Sequence, residues 1–187
     1  MISAYFSTWN LIRISGFLAY FLFTLAISAG LMSRLSVFQK KKPFLIELHE
    51  TSGWAGLVTT VFHLTALTVD HYAPYKLKEI FIPLMAENAP ISSAFGTISF
   101  FLFLIVIASS DFLKRRLGVQ IWRKLHLLVI PAWILMLLHG IMIGTDSNLT
   151  WATTLYSSGI VLVMTLIVFR FLEGKIEAQK KISRKGK

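Results

Sequence analysis

The chain of 187 residues contains no cysteine. That excludes disulfides, thiolate metal ligands and any covalent thioether attachment of a prosthetic group. Negative charge is scarce: nine Asp and Glu stand against 19 Lys and Arg, a formal net charge of +10. No G-x-G-x-x-G or other dinucleotide signature occurs, so the residues present supply no nicotinamide-binding turn. What the chain has in excess is apolar surface. Hydrophobic residues make up 55% of it and the mean hydropathy is +0.67, more than a soluble domain normally carries.

Five apolar spans can be drawn, from Trp9 to Met32, Leu48 to Val69, Ile91 to Ser110, Leu125 to Ile143 and Trp151 to Leu172. Each is close to the roughly 20 residues that a spanning helix needs, and backbone polar groups in lipid must be satisfied within the segment. The sequence therefore predicts an all-α integral membrane protein, a bundle of about five transmembrane helices. The first span lacks a short apolar core followed by a small-residue cleavage site, so it is read as a retained helix. Residues 1–172 form one membrane domain and 173–187 a basic tail.

The positive charge is segregated. Arg34, Lys40, Lys41 and Lys42 follow the first span; Lys114, Arg115, Arg116, Arg123 and Lys124 lie between the third and fourth; Arg170, Lys175, Lys180, Lys181, Arg184, Lys185 and Lys187 cluster at the end of the fifth and after it. The alternate loops hold only Lys76 and Lys78, offset by Asp70, Glu79 and Glu87, and then Asp146. The positive-inside rule puts the N-terminus outside and the C-terminus in the cytoplasm. Membrane orientation accounts for the charge and nucleic acid is not needed as a partner. A basic tail of this kind also suits anionic lipid or a cytoplasmic partner.

Four histidines lie inside two of the spans: His49 and His63 with 13 residues between them, His126 and His139 with 12. At about 1.5 Å per residue each pair is roughly 20 Å apart along its helix, too far to share one metal ion and most of a hydrocarbon core about 30 Å thick. The charge pattern makes spans two and four run in the same direction. His49 then matches His126 in depth near the cytoplasm, and His63 matches His139 toward the outside. The rotational phase is uneven: 14 steps return His63 to within roughly 40° of His49, but 13 steps miss by about 140°. Pro131 lies between the second pair and removes a backbone hydrogen bond, so an irregularity is expected near it.

Two bis-histidine centres at two depths, without cysteine, suit haem better than zinc. A flat macrocycle fits between helices and takes one imidazole from each, held non-covalently as a b-type group. Gly56, midway between His49 and His63, and Trp133, near the middle of the other pair, suggest a large ring filling the layer between two cofactors opposite a small residue; ordinary small-residue packing is the plainer reading. Arg13 lies a few residues inside the outer end of span one, where a charge needs a partner, an outer haem propionate or the outer headgroups. Arg123 and Lys124 flank His126 and could meet inner propionates or serve as interface anchors. His71 is the free histidine near an outer exit, beside Asp70 and Tyr72, and is read first as interfacial. Glu47 and Glu50 bracket His49 and compensate a helix dipole. A glycosylation triplet, Asn148 to Thr150, carries no assigned function.

The histidine pairs of LHETSGWAGLVTTVFH and HLLVIPAWILMLLHG, the preceding WRKLH and the arginine of LIRISG resemble the ferric reductase-like transmembrane domain. Ferric reductases, NADPH oxidases and the haem-binding subunit of the bacterial methionine sulfoxide reductase system share that domain. The resemblance runs from about Asn10 to Leu172. It implies two b haems, an inner one on His49 and His126 and an outer one on His63 and His139. Unlike the oxidases, only a short basic tail follows Leu172, so neither flavin nor NADPH would be bound by this chain. Electrons would come from a separate cytoplasmic flavoprotein or from membrane quinol. They would leave to an acceptor on the outer side such as ferric iron, oxygen or a secreted oxidoreductase. Each electron moved outward gains roughly 2.3 kcal/mol per 100 mV. The expected protein is a multi-pass oxidoreductase-type electron carrier of a cell membrane, plausibly the bacterial plasma membrane. The competing readings are a non-catalytic anchor or assembly subunit, and a quinone-dependent haem subunit of a larger complex.

Overall fold

Every long apolar run in this chain forms a helix. In the computed structural model, which describes residues 7–71 and 74–185, no strand occurs among the described residues. Helix α1 (Thr8–Met32) starts at Ser7, whose hydroxyl caps the Asn10 amide, and a short 3₁₀ turn, Ser36–Lys41, leads into α2 (Lys42–Thr68). Pro43 stands at the start of α2 and Pro90 at the start of α4 (Pro90–Ala108), where a missing N–H costs nothing. Between them a one-turn helix, α3 (Leu77–Phe81), is tied to α4 by the Thr97 hydroxyl on the Ile80 carbonyl. Helix α4 continues through a π-helical turn, Ser109–Leu113, into α5 (Lys114–His126), which bends at Gly118 with φ of 73°, a conformation glycine adopts without strain. Then come α6 (Val129–Ile143) and the 36-residue α7 (Thr150–Lys185).

Among the described residues three helical segments are long and apolar enough to cross a membrane by length and composition: α1, the continuous run Pro90–His126 and Thr150–Gln179; α6 is a shorter apolar helix. Helix α2 is long, but Glu47, His49, Glu50, Thr51 and Ser52 dilute its first half. The span expected from Leu125 to Ile143 is cut at Leu127 and Leu128, which form a turn. Pro131 has no N–H to offer the Leu127 carbonyl, and the Ile130 N–H takes that carbonyl instead at 3.2 Å. This three-residue winding turns about 120° per residue in place of about 100°. It moves the phase of His139 relative to His126 in the direction that the 13-residue spacing requires. His126 consequently ends α5 and does not belong to α6. No break marks the expected start of the tail at residue 173, since α7 runs on to Lys185.

Helix directions follow from specific contacts. Helix α2 is antiparallel to α1, because His49 lies at Gly30 and His63 at Gly16. Helix α6 is antiparallel to α4, with Ser99 donating to the Ala132 carbonyl and His139 on the Ser92 carbonyl. Helix α7 runs beside α1 in the same sense: Phe17 meets Trp151, the Tyr20 hydroxyl donates to the Tyr156 carbonyl, and Glu173 accepts from the Ser36 amide. Tyr20, Phe23, Ile27, Phe103, Trp133, Leu137 and Tyr156 build the core. The outward faces carry many exposed large apolar side chains, among them Val58, Phe62, Val161, Met164 and Phe169, as helices surrounded by lipid do.

Candidate histidine sites

Helices α2, α5 and α6 bring the four histidines together in the expected two pairs. The rings of His49 and His126 stand 5.9 Å apart, centroid to centroid. They line one cavity, about 500 Å³, with Arg34, Lys42, Lys114 and Arg170 around it. His63 and His139 face a second cavity, about 320 Å³, with Arg13, Asp70, Glu79 and Asp146. Four cations against Glu50 and Asp111 make the first cavity positive; three carboxylates against Arg13 make the second negative. Phe23 and Phe103 line both cavities, stacked at 3.7 Å and 6°, so an aromatic pair forms the layer between the two sites.

Each imidazole is held through Nδ1. The His49 Nδ1 lies 2.8 Å from the Ala26 carbonyl, the His63 Nδ1 2.9 Å from that of Ile12, and the His139 Nδ1 2.7 Å from that of Ser92. A carbonyl can only accept, so Nδ1 carries the proton in these three and Nε2 presents a lone pair. His126 differs: its Nδ1 is 3.3 Å from the Ser110 hydroxyl, which also lies 2.8 Å from the Val106 carbonyl and 3.1 Å from the Trp122 indole nitrogen. A hydroxyl has one proton and two lone pairs. Donation to Val106 and acceptance from Trp122 leave one lone pair for the His126 Nδ1–H, so the same tautomer holds there.

The supporting residues depart from the sequence expectations in several places. Gly56 does not face Trp133, because α1 lies between them. A Cβ at Gly56 would meet the Phe23 ring at 3.1 Å, while the Trp133 indole donates to Thr24 at 2.9 Å and stacks near Tyr20. Phe23 and Phe103 occupy the intermediate layer in place of Trp133. Arg13 does line the second cavity, but its guanidinium is paired with Asp146, a partner 133 positions away. Its Nε is buried with no hydrogen-bond partner. Arg123 and Lys124 are exposed and line neither cavity. On α5 it is Trp122 and His126, four apart and thus on one face, that turn inward. His71 is exposed beyond the end of α2. Arg34, Lys114, Arg170, Ser110 and the two phenylalanines carried no distinguishing sequence signal; each owes its place to contacts between distant helices.

Among the described residues no three His, Asp or Glu side chains come together as a metal site. What the chain offers is two imidazoles at each of two levels. A family model described as the ferric reductase like transmembrane component matches residues 15–137. That range takes in His49, His63 and His126 and ends two residues short of His139. No curated protein and no solved structure gives a match.

Proposed function

The chain belongs to the ferric reductase-like transmembrane family, and from that premise we propose that it carries electrons across a membrane through two b-type haems. The observation that carries this reading is the pairing of four imidazoles at two levels, all with Nε2 left free by an acceptor on Nδ1. Haem, when bound, would supply one-electron transfer chemistry. His49 and His126 would hold the inner group, His63 and His139 the outer.

The residues present fit such a group. The His49 and His126 rings stand 5.9 Å apart, centroid to centroid, and both keep an unprotonated Nε2 for a metal between them. With two imidazoles at each site and no group of three His, Asp or Glu among the described residues, the side chains suit a metal that brings its own macrocycle. The cations Arg34, Lys42, Lys114 and Arg170 around the inner cavity suit propionate carboxylates; at the outer cavity, where carboxylates outnumber Arg13, the Arg13 Nε–H, buried without an acceptor, is the donor that would meet one. Phe23 and Phe103, stacked on each other, line both cavities and place an aromatic pair between the two sites.

In this reading the bundle crosses the membrane five times, with α2 and α6 included, the N-terminus outside and the C-terminus cytoplasmic. Residues 1–172 form the haem-bearing domain of a bacterial plasma-membrane protein, and 173–187 its cytoplasmic tail. A cytoplasmic flavoprotein or membrane quinol supplies electrons, and ferric iron, oxygen or a secreted oxidoreductase receives them outside. The test is an optical spectrum of dithionite-reduced protein purified from haem-replete cells, with haem quantified per chain. A low-spin b-type spectrum with two haems per chain is expected, and a haem-free, folded protein overturns the proposal.

A further inference from the structure

The carbonyls that hold the imidazoles share a local pattern. Four residues after Ile12, Ala26 and Ser92 stand Gly16, Gly30 and Gly96. A helical side chain leans toward the N-terminus and covers the turn before its own Cα. The residue at i+4 therefore tends to cover the carbonyl of residue i, and a glycine there opens the approach for a bulky outside donor such as an imidazole. A Cβ at Gly96 would stand 2.8 Å from the His139 ring, at Gly30 3.0 Å from that of His49, and at Gly16 3.4 Å from that of His63. At the fourth site the same position after Val106 is Ser110, which bridges carbonyl and imidazole with its hydroxyl.

The pattern occurs twice. Ile12 and Ala26 are 14 positions apart on α1, and Ser92 and Val106 are 14 apart across α4, although His126 and His139 are separated by only 13. At the short-spaced pair the serine hydroxyl extends the acceptor beyond the backbone. It sits in the π-helical turn, a feature that frequently marks functional sites.

We propose that Gly96, Gly30 and Ser110 are positioning residues that seat the imidazoles of His139, His49 and His126, with Gly16 the tolerant member of the pattern, an inference that rests on the two-haem reading. The clash distances rank them: Gly96 is the least tolerant of a methyl group, Gly30 next, and Gly16 accepts one in ordinary contact. Gly159, whose Cβ would run into the Tyr20 hydroxyl, packs helices without touching a histidine and serves as control.

The experiment compares wild type with G16A, G30A, G96A, G159A, S110A and S110T, reading haem per chain and the low-spin electron paramagnetic resonance signal of each centre. G96A should lose the outer signal and keep the inner one, falling from two haems toward one, and its retained centre reports that the protein is folded. G30A should lose or shift the inner signal alone. G16A should match wild type, and G159A should melt at lower temperature with both centres intact. S110A should shift the inner signal and S110T should restore it. Unchanged signals in G96A, loss of both centres in G96A, or equal losses in G16A and G159A overturn the inference. Wild-type protein without haem overturns the two-haem reading and this inference with it.

Discussion

An imidazole tied through Nδ1 to a carbonyl has one nitrogen left to offer, and the direction of that nitrogen is set by the helix bearing the carbonyl. His63 depends on α1 and His139 on α4, so each outer imidazole is positioned by a helix other than its own. Substituting His63 or His139 with alanine should remove the outer haem and leave the inner one, and substituting His49 or His126 should do the reverse; haem per chain and reduced spectra check both. Thr24 and Trp133 make a different prediction. Both are buried and joined by one hydrogen bond, yet neither lines a cavity. Thr24→Val leaves the indole N–H without an acceptor, at a cost of about 1–3 kcal/mol. The melting temperature should fall while the haem content stays at the wild-type value. A tryptophan between two histidines invited a functional reading from sequence, and the bond to Thr24 shows what it does in the fold.

At the scale of elements, the break before α6 has a single cause in Pro131, and it is the part of the phase problem that sequence made visible. Thirteen residues at a helical pitch cannot put two histidines on one face, which demanded an irregularity near the proline; the turn at Leu127 and Leu128 provides one. Pro131→Ala restores an N–H that can reach the Leu127 carbonyl. The regularised helix should rotate His126 away from His49 and lower inner-haem occupancy, read as the ratio of the two low-spin signals. Phe103 on α4 predicts the opposite division. It is buried and stacked on Phe23 between the cavities, so Phe103→Ala should cost about 3–5 kcal/mol by opening a void. All four histidines stay in place, and both spectra should persist in a protein that melts earlier.

For the whole molecule, α1, α4 and α7 run one way and α2 and α6 the other, as the contacts of Gly16, Gly30, Ser99 and Tyr20 together with the facing of His49 to His126 and of His63 to His139 require. That alternation agrees with the sidedness of the Lys and Arg residues, and the positive cavity lies at the basic end of the bundle. Because the chain has no cysteine, single cysteines can be introduced without background. An impermeant maleimide should label Met85→Cys on intact cells and Ile182→Cys only after permeabilisation, both positions being exposed. The reverse pattern would overturn the orientation proposed here.

The apolar runs, the histidine spacings and the charge asymmetry are all in the sequence, and they suffice to expect an all-helical bundle with two histidine pairs at different depths. These are properties of residues close together in the chain or of regular helical geometry, which needs no partner to be calculated. Tertiary structure alone decided what surrounds the pairs. Arg13 meets Asp146, Phe23 and Phe103 stack between the two cavities, and Trp122 turns inward while Arg123 and Lys124 stay exposed. The three glycines were there to be read, but a glycine in an apolar helix looks the same whether it admits a neighbouring helix or an imidazole. Which one it admits depends on the rotation and offset of two packed helices. Those quantities are set by the sum of many side-chain contacts between distant segments, and no local spacing encodes them.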